Sequence, residues 1–224
     1  MPATGSAAIP PSLLDDSTES LPEWLKLHGR KLSIVLGAAV VIGGGIWLYM
    51  YASAEQSLRA DAQLIQPERS LAAGNVPLAQ TDLKRVIGRY KGTAAAAQAS
   101  MLLAQTYYDQ QKFTDGIAVL NEVPRHGGAA PFAAGVEALT AIGYSDATKY
   151  TDAAQHYLKA ADLSRFSAQK SQYRATAART YVVAGDTASA VKLWTDLAAN
   201  ESDPYAPEAH LRLGELTVKP APKG

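Results

Sequence analysis

Residues Ala97–Val123 read AQASMLLAQTYYDQQKFTDGIAVLNEV, and the spacing of their small and apolar residues decides the fold. Taken as two helices, the stretch places Leu103, Ala104 and Tyr107 on one face, Phe113 in the turn, and Gly116, Ile117, Leu120 and Val123 on the facing side. These are the contact positions of a helical hairpin. Ala104 and Gly116 are small enough for the two backbones to approach closely, while Tyr107 and Leu120 fill the space beside that contact.

The same register returns along the chain. Starting from Ala97, it recurs at Ala134, with Ala141, Tyr144, Tyr150, Ala153, Tyr157 and Ala160 in the equivalent places. It recurs again at Ser171, with Ala178, Tyr181, Gly185, Ala190, Trp194 and Leu197, and a last half-unit begins at Pro207 with Leu213 and Gly214. The steps between 97, 134, 171 and 207 are 37, 37 and 36 residues. One step back, a unit from Ala60 carries Gly74, Val76, Ala79, Leu83 and Val86 in register. Pro67 falls at its small contact position, and since an internal proline kinks or breaks a helix, the regularity of its first helix is left open.

A Leu, a small residue and a Tyr in one helix, then a small, a large apolar and a small residue in the next, resemble a tetratricopeptide repeat. The family's usual period is about 34 residues, so the longer step here predicts lengthened loops. The resemblance implies an all-α α-solenoid of tetratricopeptide-like helical hairpins, with units from about 60, 97, 134 and 171 and a cap from 207.

Upstream, Leu32–Tyr51 is 20 residues without a charge. As a helix it is about 30 Å long, the thickness of a bilayer core, so an N-terminal transmembrane helix is expected at about 32–51. Arg30 and Lys31 precede it, with Lys26, and the first 15 residues after it hold only Arg59, which orients the N-terminus to the cytoplasm. Trp24 on one side, and Trp47, Tyr49 and Tyr51 on the other, are placed as interfacial anchors. Gly43 and Gly44, with Gly45 and Ala39, offer a close helix-packing face; no Lys-Ser or Lys-Thr follows them, as a phosphate loop would need. Ala52-Ser53-Ala54 would suit signal cleavage, but the apolar run exceeds the roughly 7–15 residues of a signal core. Residues 1–22, rich in Pro, Ala, Ser and Thr, read as a disordered tail, with Leu13 and Leu14 as an alternative docking peptide. Segment 23–51 is then the membrane anchor, 52–218 the repeat domain and 219–224 a tail.

His28, Gly29, Arg30 and Lys31 before the span, and Gly45, Trp47 and Tyr49 at its exit, followed by helical repeats, resemble the single-span tetratricopeptide-like proteins of bacterial inner membranes typified by the ancillary subunit of the SecYEG translocon. The resemblance covers residues 22–215. It implies a cytoplasmic N-terminus, a periplasmic repeat domain, and partners among membrane or periplasmic proteins.

Chemistry is scarce in this chain. It has 21 basic and 21 acidic residues, which gives no basic face for nucleic acid, and no cysteine, which excludes disulfides, thiolate metal sites and a lipidated N-terminal Cys. No pair among His28, His126, His156 and His210 has the i, i+4 spacing that converges on a metal. No nucleophile motif surrounds a Ser, and no isolated carboxylate pair stands out. Neither catalysis, a cofactor, a metal nor a small-molecule substrate is expected. Pro124–Pro131 reads as an inter-repeat turn rather than a ligand loop.

Binding is the function left. In this fold the first helices of successive units line the concave face, which marks Gln98, Met101, Gln105, Tyr108 and Asp109, then Ile142 and Asp146, then Arg179 and Val182. Flexible Met and amphipathic Tyr suit adaptable contact with apolar protein segments; the alternative is that these residues pack against one another or a neighbouring subunit. Two functions fit: a translocon-associated or chaperone-like accessory factor, and a structural accessory subunit of a respiratory or photosynthetic membrane complex.

Overall fold

The computed structural model describes residues 42–45, 56 and 58–217. The chain divides into two units, Met1–Ser53 and Ala54–Gly224. Of the first, residues 42–45 are helical and exposed. Among the described residues no helix is long and apolar enough to cross a membrane. The expected span at 32–51 lies, apart from 42–45, outside the described residues, as do Trp24, Arg30, Lys31, Trp47, Tyr49 and the two expected tails, 1–22 and 219–224.

The second unit is a run of helices. These are α1 over residues 58–72, α2 Val76–Arg89, α3 Ala94–Asp109, α4 Phe113–Asn121, a 3-10 turn Gly127–Phe132, α5 Ala133–Asp146, α6 Tyr150–Leu163, α7 Ser167–Val183, α8 Thr187–Ala198 and α9 Ala206–Thr217. No strand occurs among the described residues. Consecutive helices pack on one another from α2 through α9. The order is four hairpins and a closing helix.

Each hairpin closes through the same corner. At positions 74, 111, 148 and 185, spaced by 37, the backbone takes positive φ: +76° at Gly74, 59° at Gln111, 60° at Thr148 and +80° at Gly185. The N–H of Gly74 donates to the Leu71 carbonyl at 2.9 Å and that of Asn75 to Ser70 at 2.8 Å. Gln111 and Lys112 make the same two bonds to Tyr108 and Tyr107, Thr148 and Lys149 to Ser145 and Tyr144, Gly185 and Asp186 to Val182 and Tyr181. This is the Schellman end of a helix, which satisfies two orphan carbonyls and reverses the chain. The periodicity of the side chains is thus also a periodicity of the backbone.

The contact positions are buried as the pattern requires. Ala104, Leu120, Ala141, Ala153, Ala160, Ala178, Ala190 and Trp194 are all at 0% exposure. Alanine serves twice here: it is the best helix former, and its small side chain lets neighbouring helices pack at the near end of the 8–10 Å range. Larger residues fill what remains. Leu83 and Leu103 join α1, α2 and α3 with Tyr90; Leu120, Val123, Val136 and Leu139 join α3, α4 and α5; Tyr181, Trp194 and Leu197 join α7, α8 and α9. Burying each such side chain is worth about 1.5–3 kcal/mol, so these clusters outweigh any single local preference.

Pro67 illustrates that balance. Helix α1 runs unbroken through Pro67, which is fully buried and lines one cavity with Val86 of α2 and Tyr90 at its C-terminal cap. Proline removes one helical hydrogen bond and crowds the preceding turn. Its position on the buried face, flanked by Leu64 and Ser70, supplies the packing that offsets this. Ser70 also returns a bond to the helix, its hydroxyl donating to the Gln66 carbonyl at 3.1 Å.

The segment expected to be a turn at Pro124–Pro131 is one, built around the 3-10 helix. It folds back over the start of α3. A Cβ placed on Gly128 would lie 2.9 Å from the Gly92 carbonyl oxygen and 3.3 Å from the Thr93 Cα, so only glycine fits that approach.

Candidate protein-binding face

The nine residues assigned to a binding face from the sequence fall into two groups. Gln98, Gln105, Asp109, Ile142, Asp146 and Val182 are exposed, with Ile142 at 41% and Val182 at 40%. Met101, Tyr108 and Arg179 are half-buried and engaged within the fold. Glutamines, carboxylates and branched aliphatics together make a mixed, uncharged-to-acidic surface along α3, α5 and α7. It suits adaptable contact with protein rather than one charged ligand.

Tyr108 is the clearest case of engagement. Its ring occupies the space that a side chain at Gly116 of α4 or at Gly143 of α5 would need, and its hydroxyl donates to the Leu139 carbonyl at 3.3 Å. Phe113 lies beside it with ring centroids 6.1 Å apart. Burial raises the phenol pKa well above its ordinary value, and the charge of Asp146 and the neighbouring Tyr144 add to the shift. Tyr108 therefore stays neutral and joins the second hairpin to the third. Met101 packs likewise on α5, with its Cε 3.4 Å from where a Cβ on Gly135 would stand.

Arg179 ties the fourth hairpin to the closing helix. Its Nε donates to Oε1 of Glu208 at 2.8 Å and its Nη2 to Oε2, a bidentate pair. The guanidinium stands 5.9 Å from the centre of the Trp194 ring and 5.8 Å from that of Tyr205. The bonds to Glu208 raise its pKa further against the effect of burial, and they lower that of Glu208.

One cluster escaped the sequence reading altogether. Glu137 of α5 is 6% exposed and accepts from Arg125 Nε at 2.7 Å, while His156 Nδ1 of α6 lies 2.6 Å from its other oxygen. A carboxylate accepts only, so Nδ1 carries the proton. Burial would raise the Glu137 pKa, but the hydrogen bonds from His156 and Arg125 and their charges outweigh it and hold the value below the ordinary 4.5. The Arg125 Nη1 also donates to the carbonyls of Leu120, at 3.1 Å, and Val123. His156 stacks on Tyr144 with centroids 5.0 Å apart. The cluster fastens the loop after α4 to both helices of the third hairpin. Its members are 12 and 19 positions from Glu137, beyond any spacing within one helix, so only the hairpin register could have paired them.

No group of three or more His, Cys, Asp or Glu able to hold a metal occurs among the described residues. Residues 22–176 match the family model described as "Tetratricopeptide repeat-like domain". The chain belongs to this family. Among solved structures it is similar to the nearly identical TPR-like repeats of a Podosopora anserina protein named as a kinesin light chain, at 15% identity and a TM-score of 0.51, covering 70% of this chain and 85% of that one. A single-substitution variant of that protein matches equally, with 84% of it covered. At this identity the likeness establishes the helical-repeat fold alone. No curated protein matches the chain. A repeat domain of this family is a protein–protein interaction scaffold, and typically a non-enzymatic one.

Proposed function

We propose that the chain is a membrane-anchored interaction scaffold of the bacterial inner membrane, with its repeat domain in the periplasm, acting as a translocon-associated or chaperone-like accessory factor. The observation that carries this reading is the join of two features in one chain. A 20-residue uncharged run with basic flank Arg30 and Lys31 lies inside the family match, which starts at residue 22, and the repeats follow it directly. The exposed, mixed residues Gln98, Gln105, Ile142 and Val182 supply a surface for loose contact with apolar segments of emerging chains.

A second reading, a structural accessory subunit of a large respiratory or photosynthetic complex, is favoured by Gly43 and Gly44. With Ala39 four residues before Gly43, they are small residues that would let another helix approach closely. One experiment separates the two: a mild-detergent pull-down of the full-length protein from native membranes, with each co-purifying subunit quantified. Translocon subunits and envelope chaperones at low, variable ratio are expected. A fixed set of energy-converting subunits at integral ratio, lost when Gly43 and Gly44 are replaced by Leu, would instead establish the structural role.

A further inference from the structure

We propose that the outer face of α9 pairs with the same face of a second copy of this chain, the two helices crossing antiparallel at Gly214. This surface is distinct from the binding face along α3, α5 and α7, and the pairing does not depend on the scaffold reading. The fourth, seventh, eighth and eleventh positions of each unit lie on the side of its first helix that meets the second helix of the same hairpin. In α3 these are Ser100, Leu103, Ala104 and Tyr107, and neither they nor their equivalents in α5 and α7 are exposed. In α9 they are His210, Leu213, Gly214 and Thr217, and all but the half-buried Leu213 are exposed. Leu211, beside them, is 60% exposed.

A close crossing of small residues joins the helices of each hairpin. A Cβ on Gly116 would lie 3.0 Å from the Ala104 carbonyl oxygen. In the next two hairpins the equivalent pairs, Ala141 with Ala153 and Ala178 with Ala190, are fully buried. Gly214 holds the place of Ala104, and a Cβ built on it meets nothing within 4 Å. Helix α9 thus presents one half of a hairpin contact, and no described residue supplies the other half.

The chain does not complete this contact by repeating its own corner. In the fourth hairpin the N–H groups of Ala184 and Asp186 donate to the Thr180 and Tyr181 carbonyls, at 2.9 Å each, as the chain turns. One step of 36 residues further on, those two places are Pro220 and Pro222, and proline has no N–H to give. The missing helix therefore has to be brought by another molecule.

Charge and symmetry select a second copy as that molecule. On α9, Glu208, Arg212 and Glu215 lie away from this face, tied to one another and to Arg179. The open face has no Lys, Arg, Asp or Glu, so it gives a charged partner nothing to grip and sets no like charges in opposition when it meets itself. The two helices of a hairpin run antiparallel, and so do two copies of α9 related by a two-fold axis through Gly214. Glycine then meets glycine, the tightest form of the crossing found in the hairpins, with the Leu211 side chains flanking it. A 12-residue helix is about 18 Å long. Its contact area falls short of the about 800 Å² per partner of a standard stable interface, so the pairing is reversible.

The test uses the full-length chain in detergent. Wild type should show reversible, concentration-dependent self-association in sedimentation equilibrium. Gly214→Arg, whose side chain enters open space and so leaves the helical circular dichroism unchanged, should weaken that association about a hundredfold by setting like charges against each other. Replacing Gly43 and Gly44 by Leu should leave it as it is. The chain has no cysteine, so Gly214→Cys introduces a single thiol. With copper phenanthroline as oxidant it should form a disulfide-linked dimer about tenfold faster than the exposed control Glu201→Cys, because only residue 214 faces its own copy within bonding range. A wild type that stays monomeric at every concentration overturns the pairing, as do association untouched by Gly214→Arg, association lost with the two span glycines, and equal oxidation at 214 and 201. A photo-cross-linker attached to Gly214→Cys in native membranes should give a product of twice the chain's mass, and capture of a different protein in its place overturns the second copy as occupant.

Discussion

The first and fourth hairpins turn on glycine; the second and third turn the same corner without it. Gly74 and Gly185 hold positive φ at no steric cost, and the residues after them, Asn75 and Asp186, cap the next helix by accepting from Leu78 N at 3.3 Å and Ser189 N at 3.0 Å. At the same places the inner hairpins have Gln111 and Thr148, then Lys112 and Lys149, with no side-chain cap. For β-branched Thr148 a positive φ is a strained conformation. Yet the backbone bonds of all four corners agree within 0.2 Å, from 2.8 to 3.0 Å. What the inner corners lack in local chemistry is made up by contacts from neighbouring repeats: Tyr108 wedged against Gly116 and Gly143, and Arg125, Glu137 and His156 bridging loop and helices. The lesson is that a repeat flanked on both sides can tolerate a poor turn.

The strongest way to break this comparison is to cut the bridge. Arg125→Met leaves the Glu137 carboxylate buried with only His156, and should cost about 2–3 kcal/mol, at the low side of a broken buried pair because Arg125 is 25% exposed. Chemical denaturation measures the loss. Amide hydrogen exchange at Lys149 should accelerate with it while exchange at Asp186 does not. The pH dependence follows from the depressed Glu137 pKa. Its stabilisation is complete above the ordinary 4.5 and disappears as pH falls through the lower folded value. The stability gap between wild type and Glu137→Gln should therefore narrow below about pH 4.5; a gap that stays constant to pH 3 would mean that the charge contributes nothing.

The wedge comes next. Gly143→Ala puts a methyl group into the space held by the Tyr108 ring, and overpacking of this kind costs about 1–3 kcal/mol. Trimming the ring in Tyr108→Leu should recover part of the loss in the double variant, which a purely conformational effect of removing glycine would not.

How much of this the sequence disclosed depends on the range of each interaction. The hairpins, their step of 37 and the small contact residues were legible because a helical face is set by spacing alone, and Ala104, Leu120, Ala153 and Trp194 are buried as that spacing requires. Pro67 left the first helix undecided because the local rule treats a proline as a kink or break, whereas its burial on the packed face of α1 lets the helix continue. Helix α7 begins at Ser167, ahead of the register start at Ser171, since register marks contacts and not helix ends. Tyr108, Met101 and Arg179 were placed on a binding face by position, but whether a side chain at such a position is free depends on what the next repeat puts against it. Gly143, 35 residues away from Tyr108, makes the hole that takes the ring.

The finest test restores to the inner corners what the outer ones have. Thr148→Gly removes the strain of positive φ on a β-branched residue but adds the entropy that glycine loses on folding, so the net gain should be about 0.5–1 kcal/mol, and Gln111→Gly should give less because its side chain is unbranched. Changing Lys149→Asn alongside supplies a cap, worth about another 0.5 kcal/mol. The order of these small gains carries the information. If Thr148→Gly stabilises more than Gln111→Gly, the inner turns are strained and held by their neighbours. If neither stabilises, the packing around them has already adapted to the longer side chains, and local strain is not what distinguishes the inner repeats from the outer ones.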